Sequence, residues 1–160
     1  MKKIVLVGKG ASGKNVLMER LEKRGFKHLV SHTTRPMRDG EKDGVEYHFV
    51  STDEFKRMID NNEFVEYQEF GGNLYGTSKK EWDDSDVMIL APKGVENIKQ
   101  LGLRDDCFII YVDIPYDVRK YRLLSRAGSN IEDVQKRLAN DEMEFSLFID
   151  CDLRITHPEF

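Results

Sequence analysis

Residues 3–15 read Lys3-Ile4-Val5-Leu6-Val7-Gly8-Lys9-Gly10-Ala11-Ser12-Gly13-Lys14-Asn15, and the order of residue types in this stretch decides the fold. The continuous apolar run over 3–7 predicts a central strand buried on both faces. Gly8 to Lys14 fits the pattern G-x-x-x-x-G-K. Its glycines let successive backbone N–H groups converge on phosphate oxygens, and its lysine reaches the outer phosphates. Residues 13–24 then predict a helix with Val16, Leu17 and Leu21 on one face and Gly25 as its stop. The loop therefore opens onto the positive end of a helix, where anions are favoured.

Asn15 departs from the pattern, which has Ser or Thr at this position. A hydroxyl there binds Mg²⁺, an ion that prefers hard oxygen ligands and keeps several waters. The amide oxygen of Asn15 is also a hard ligand, on a slightly longer arm. Three readings stand: direct contact with the metal, contact through water, or simple capping of the helix.

Outward from this stretch, strand and helix patterns alternate. Strands are expected at 28–31, 46–50, 64–70, 87–90, 108–112 and 153–156, and helices from 52, at 94–101, at 117–126 and at 131–148. Ser51-Thr52-Asp53-Glu54 has capping-box spacing, and Pro115 stands just ahead of a helix start. In 64–70 simple alternation puts Phe64, Glu66, Gln68 and Phe70 on one side, and Gly71-Gly72-Asn73 turns the chain into Leu74-Tyr75. The expected fold is α/β, with a mostly parallel sheet and helices on both faces. The hairpin-like stretch 32–82 breaks the alternation and predicts an inserted small β-rich lobe. We expect one domain over 1–160, with a core of about 1–31 and 83–160.

The 160 residues carry 25 Lys and Arg against 29 Asp and Glu, a net charge of −4, so the chain does not offer the net basic surface of a general nucleic-acid binder. No apolar run approaches the roughly 18 residues of a membrane span, and the opening MKKIVLVGKG loses its apolar run too soon for an export signal. Cys107 and Cys151 are too few for a disulfide framework, which makes a reduced, cytoplasmic protein the expectation.

Ser31-His32-Thr33-Thr34-Arg35-Pro36-Met37-Arg38-Asp39-Gly40-Glu41 sets two arginines three apart in a loop punctuated by Pro and Gly. Guanidinium groups so placed can grip one phosphate, with Ser and Thr hydroxyls as further donors. They can equally be a solvated basic loop paired with Asp39, Glu41 and Asp43.

SHTTRPMRDGEKDGVEYHFVS, followed by EFVEYQEFGGNLYGTSK, resembles the nucleoside-monophosphate-binding region of the guanylate kinase family. With the phosphate loop ahead of it and RLLSRAGSNIEDVQKRLANDEMEF behind, the resemblance covers most of the chain in order. It implies a P-loop NTPase-type fold and a helical lid over about 122–140. It implies that Gly8, Gly10, Ala11, Ser12, Gly13, Lys14 and Asn15 bind ATP. It further implies that Ser31, Arg35, Arg38, Tyr47 and Tyr75 hold the GMP phosphate, supported by Glu41. Glu66 would accept from the guanine edge, with Gly76, Thr77 and Ser78 nearby; a carboxylate suits the N1–H and 2-amino donors of guanine. Arg122, Arg126 and Arg137 match lid arginines, so that Lys14, Arg35, Arg122, Arg126 and Arg137 would form the catalytic set. Mg²⁺ would accompany ATP.

Two departures qualify the resemblance. Ile89 and Ala91 stand where acidic residues are usual, and Lys93 replaces a glutamine. Asp113 reads either as a substitute metal ligand or as a strand-end or helix-capping residue. The chain also closes on Arg154-Ile155-Thr156-His157-Pro158-Glu159-Phe160 rather than on the family's Asn-Asp segment and a last helix, which leaves adenine recognition to backbone or to an oligomer. The expected function is ATP-dependent phosphorylation of GMP or dGMP. The alternatives are a non-catalytic module that grips phosphorylated or acidic protein segments, and a kinase of relaxed base specificity.

Overall fold

The computed structural model describes every residue from Met1 to Phe160. The chain divides into two compact units. One comprises Met1–Phe26 with Val87–Phe160, and the other is Lys27–Asp86.

The first unit is built on a parallel sheet. Strand β1 (Lys3–Gly8) lies between β6 (Val87–Ile89) and β7 (Cys107–Val112), and β8 (Leu153–Ile155) pairs on the far side of β7. All three pairings are parallel, with Leu6 opposite Ile89 on one side and Ile110 on the other. The helices of this unit are α1 (Lys14–Glu22), α4 (Pro92–Gln100), α5 (Tyr116–Leu124) and α6 (Ile131–Glu144). Val5, Leu6 and Val7 are fully buried, as a strand covered on both faces requires. On α1 the sequence pattern is off by one position. Met18 is the buried residue, Leu17 and Leu21 pack beside it against Leu6 and Val87, and Val16 is exposed. Ile89 joins this same apolar cluster, which fits its aliphatic side chain.

Helix α6 ends four residues before the expected Phe148. Phe145 is its C-cap, and the next turn folds Phe145 and Phe148 against Tyr111, with ring centroids 5.6 and 5.1 Å away. Aromatic packing on the sheet outweighs helix propagation there. Asn130 opens the helix by accepting from the amides of Glu132 and Asp133.

The second unit holds a four-stranded sheet in the order β3 (His48–Phe49), β2 (His32–Thr33), β5 (Asn73–Ser78), β4 (Phe64–Phe70), with α2 (Thr52–Asp60) and α3 (Lys79–Asp84). Ser51 caps α2 by accepting from the Glu54 amide, as its spacing predicts. The expected strand at 28–31 does not form. His28 makes only an isolated bridge, Val30 N–H is taken by the Glu81 side chain at 3.1 Å and the neighbouring Lys27 N–H by Asp86 at 2.8 Å, and the ladder starts at His32.

The alternation expected in 64–70 also fails at one point. Phe64 pairs with Ser78 but Glu66 pairs with Thr77, so one extra residue bulges out between them. A bulge flips every later side chain to the opposite face. Phe64 therefore stacks on Phe55 of α2 at 4.5 Å, while Glu66 turns to the other face with Thr77. Gly76 sits where the aromatic pair presses closest, since a Cβ there would meet Phe64 at 2.8 Å.

Candidate active site

The phosphate loop runs from the end of β1 into α1 in the first unit. Two residues take positive φ, Ala11 at 58° and Gly13 at 93°, which turns the loop back onto the helix axis. Gly8 is required for space: a Cβ there would lie 2.6 Å from Ser12 Oγ and 2.9 Å from the Val112 carbonyl. Ser12 is fully buried, and its hydroxyl has no hydrogen-bond partner. Gly13 is the N-cap of α1 and no side chain caps that helix, so Asn15 is exposed in the first turn and the capping reading of it fails.

Lys14 leans back across the loop, donating from Nζ to the Lys9 carbonyl at 3.3 Å. Burial pushes its ammonium below the usual lysine range; Asp141 opposes that shift, and Arg126 and Arg137 add to it. A cavity of about 650 Å³ opens at this point. It is lined by the loop from Ala11 to Asn15, by Arg20, Arg122 and Arg126, and by Phe160. Arg122 donates to the Ala11 carbonyl at 3.1 Å and to the Pro158 carbonyl at 3.0 Å. Arg20 binds the Phe160 carbonyl, and the Phe160 ring covers Gly13. Arg137 lies on exposed α6 outside that lining, and its charge reaches Lys14 through space.

Three residues that the sequence pattern did not single out support the loop from below. Arg119 is almost completely buried, donating to the Ile114 carbonyl at 3.2 Å and to Glu142 at 2.6 Å. Glu142 also accepts from Lys9 at 3.1 Å, and Asp141 accepts from the Gly10 amide at 2.9 Å. A buried arginine on a helix needs such partners, because an unpaired buried charge is strongly destabilising. The available signal was the acid pair Asp141-Glu142, about one helical turn beyond Arg137 on α6.

Hard oxygen donors are few around the loop, and no three His, Cys, Asp or Glu side chains converge as a metal cage. Asn15 alone offers an exposed amide oxygen beside Lys14. That donor set fits Mg²⁺ carried mainly by phosphates and water rather than held by a protein cage. Asp113 does not take this role. Its carboxylate is ion-paired with Arg154, its amide donates to Ile155, and Pro115 rather than Asp113 is the N-cap of α5.

The second unit carries its own cluster of arginines and tyrosines. Arg35 makes a two-pronged ion pair with Glu41, Nη1 and Nη2 each 2.8 Å from one carboxylate oxygen. Glu41 also accepts from the Arg38 amide at 2.7 Å. These donors hold the Glu41 carboxyl at about 2, well below its usual value, the Arg35 side chain first and the Arg38 amide next. The Arg35 guanidinium lies 5.4 Å over the Tyr47 ring and 5.6 Å over the Phe49 ring. Tyr47 in turn meets Tyr75 edge to face at 5.9 Å. Burial, then the neighbouring Tyr75, raises the Tyr47 hydroxyl above its ordinary value, so it is a neutral donor.

The loop is anchored to the sheet beside it. Arg35 N–H donates to Thr33 Oγ1 at 3.1 Å, and that hydroxyl donates to the Leu74 carbonyl at 2.9 Å. On the same sheet face as Tyr75, Thr77 donates its hydroxyl to Glu66 at 2.9 Å. The fold thus gathers Arg35, Glu41, Tyr47 and Tyr75 into one cluster and Glu66 with Thr77 into another. Ser31 is half-buried, its carbonyl taken by the His48 amide, and Arg38 extends into solvent. The helix α3 beside Thr77 was missed, although Ser78-Lys79-Lys80-Glu81 has the same capping spacing as Ser51–Glu54, and Ser78 does accept from the Glu81 amide.

The sequence matches the family described as Guanylate kinase over residues 1–159. It is 35% identical over 150 residues to the guanylate kinase of Chlorobium luteolum, covering 88% of this chain and 76% of that protein. It is 38% identical over 148 residues to the Homo sapiens guanylate kinase, covering 85% and 73%. Among solved structures it resembles the guanylate kinase of Anaplasma phagocytophilum, with a TM-score of 0.69 at 25% identity, covering 98% of this chain and 77% of that one.

Proposed function

This chain belongs to the guanylate kinase family, and from that premise we propose that it transfers a phosphoryl group from ATP to GMP or dGMP. It is a nucleoside monophosphate kinase. The observation that supports the assignment of residues is that each unit gathers its own cationic cluster: the glycine-lined loop with Lys14 in one, and Arg35 held by Glu41 beside two tyrosines in the other.

Phosphoryl transfer asks little covalent chemistry of the protein, and positioning with charge neutralisation supplies most of the acceleration. The loop amides and Lys14 bind the outer phosphates of ATP. Arg122 and Arg126, already at the cavity wall, neutralise charge that spreads over the transferring group, and Arg137 joins them from α6. Arg35 and Arg38, with Tyr47, Tyr75 and Ser31, fix the acceptor phosphate, whose attacking oxygen is already anionic and needs no general base. Glu41 aligns Arg35 and the Arg38 amide and does not itself touch substrate.

Glu66 accepts from the guanine N1–H and 2-amino group, while the Thr77 hydroxyl keeps its carboxylate turned to that face. An adenine edge would present an acceptor to the same carboxylate. Mg²⁺ is part of the proposal: Asn15, directly or through water, and the ATP phosphates would hold it, and it would supply neutralisation of phosphate charge. A cytoplasmic place is likewise proposed, on two free thiols, Cys107 and Cys151. No helix is long and apolar enough to cross a membrane.

Nothing in the relatives favours the non-catalytic module; they are guanylate kinases by name. The test is turnover with ATP, Mg²⁺ and each nucleoside monophosphate in turn. GDP formation from GMP that is lost in Lys14→Ala supports the assignment. Equal turnover of AMP or CMP overturns the guanine assignment, and no turnover with any acceptor overturns the kinase.

A further inference from the structure

In the first unit one amide of the phosphate loop is already engaged by an anion from the protein. Gly10 N–H donates to Asp141 Oδ2 at 2.9 Å, and even a Cβ built on Gly10 would lie 3.0 Å from that same oxygen. Asp141 belongs to α6, the helix that also carries Arg137. A carboxylate on a loop amide occupies the kind of position that a nucleotide phosphate takes on such a loop.

Behind the carboxylate lies Arg119, 1% exposed. Its Nε and Nη2 are satisfied by the Ile114 carbonyl and by Glu142. Its Nη1 is buried without a hydrogen-bond partner, 3.8 Å from Asp141 Oδ2. Buried guanidinium nitrogens are rarely left unpaired, and an orphan donor so close to a carboxylate marks a second resting place for it. Glu142 spends one oxygen, Oε1, on both Arg119 Nη2 and Lys9, which leaves Asp141 as the carboxylate ion-paired with Nη1.

We propose that Asp141 is a placeholder anion: it holds the Gly10 amide while the loop lacks a nucleotide, and yields it to an ATP phosphate by swinging onto Arg119 Nη1. Asp141 is then a positioning residue that ties α6, and with it Arg137, to occupancy of the loop. The inference rests on the assignment of the loop to ATP. Because ATP must displace a bound anion, the wild-type protein binds it more weakly than the bare loop would.

The test is calorimetric ATP binding without acceptor, alongside steady-state kinetics with GMP, for wild type, Asp141→Ala, Asp141→Asn and Glu144→Gln. Glu144 is a second carboxylate acting on the Lys14 charge, and it controls for simple removal of negative charge. We expect the ATP Kd of Asp141→Ala to fall about five- to tenfold, that of Asp141→Asn to fall less because its amide oxygen can still accept from Gly10, and that of Glu144→Gln to stay within about twofold. KM for ATP follows Kd, and kcat does not rise. A residue that merely orders the loop would give the opposite sign.

A folded Asp141→Ala that binds ATP as wild type does, or more weakly, overturns the proposal, as does equal tightening in Glu144→Gln. Where melting shows Asp141→Ala unfolded, unchanged or weaker binding by Asp141→Asn decides against it. Wild-type protein that binds no ATP overturns the assignment of the loop as well. Normal GMP kinase activity with unresponsive Asp141 variants overturns this inference alone.

Discussion

Glu41 holds Arg35 by both carboxylate oxygens at 2.8 Å and, with one of the same oxygens, accepts the Arg38 amide at 2.7 Å. One carboxylate thus fixes the Arg35 side chain and the Arg38 backbone in the loop proposed to clamp the acceptor phosphate. Glu41→Gln keeps the shape and removes the charge and one acceptor, so Arg35 loses its two-pronged partner. The expected result is a KM for GMP raised about tenfold or more, in line with a charge-assisted contact, with a smaller change in kcat at saturating GMP. Steady-state kinetics over GMP concentration measure it, and an unchanged KM would separate Glu41 from the clamp.

The same pair predicts an acid limb of stability. Glu41 has its folded value lowered to about 2 from 4.5. In that window the unfolded chain takes up the proton before the folded one does, so stability is lost as pH falls from 4.5 towards 2. Above 4.5 the contribution is fully present. Chemical denaturation of wild type and Glu41→Gln at several pH values should show the shallower acid slope in the variant.

Lys14 predicts a limb on the alkaline side. Burial lowers its value from 10.5, so the free enzyme loses this charge at a lower pH than an exposed lysine would. The profile of kcat/KM for ATP should therefore fall before pH 10.5, whereas bound phosphates restore the proton and move the kcat profile up. The slope of stability with pH has the same sign as for Glu41, but here it is relief of a cost, since burial disfavours the charged form at neutral pH. The unfolded chain holds the extra proton between the lowered value and 10.5, so stability rises with pH through that window. Lys14→Ala should reduce kcat by on the order of a hundredfold or more, the size seen when a donor to the developing charge is removed.

Much of this was legible from spacing alone. An apolar run ahead of Gly8-x-x-x-x-Gly13-Lys14 fixes strand, loop and helix together, since only that order aims loop amides at an anion. Ser51 and Glu54 announce α2 in the same local way. The bulge between Phe64 and Glu66 was not legible, because alternation continues through it and only the packing of Phe64 on Phe55 selects the break. Nor was the support beneath the loop. Arg119, Asp141 and Glu142 look like solvated helix charges in sequence, and their pairing depends on α5 folding back beside α6.

Space beneath the loop gives a prediction independent of charge. A methyl at Gly8 would lie 2.6 Å from Ser12 Oγ and 2.9 Å from the Val112 carbonyl, and the second of these is backbone of a central strand. Gly8→Ala must shift β7 or the loop, at a cost of about 1–3 kcal/mol. Gly40→Ala is the contrasting case, with open space but φ of 83°. The Gly8 change should lower the melting temperature and also raise KM for ATP, whereas Gly40→Ala should leave KM for ATP unchanged. Thermal melts and ATP kinetics on both variants check this.

Glu66 carries the proposed base assignment. In that reading discrimination for guanine falls on one carboxylate, oriented by Thr77 at 2.9 Å. Glu66→Gln exchanges one acceptor oxygen for an amide donor that faces a guanine donor. Hydrogen bonds to a charged group are worth about 1.5–3 kcal/mol, so kcat/KM for GMP should fall roughly ten- to a hundredfold. The same value for AMP should not fall, because adenine presents no matching pair of donors at that edge. Thr77→Val leaves the carboxylate in place but frees its orientation, and should give a smaller loss confined to KM for GMP. Parallel kinetics with GMP, dGMP, AMP and CMP decide it: equal losses for GMP and AMP in Glu66→Gln would move base recognition away from Glu66.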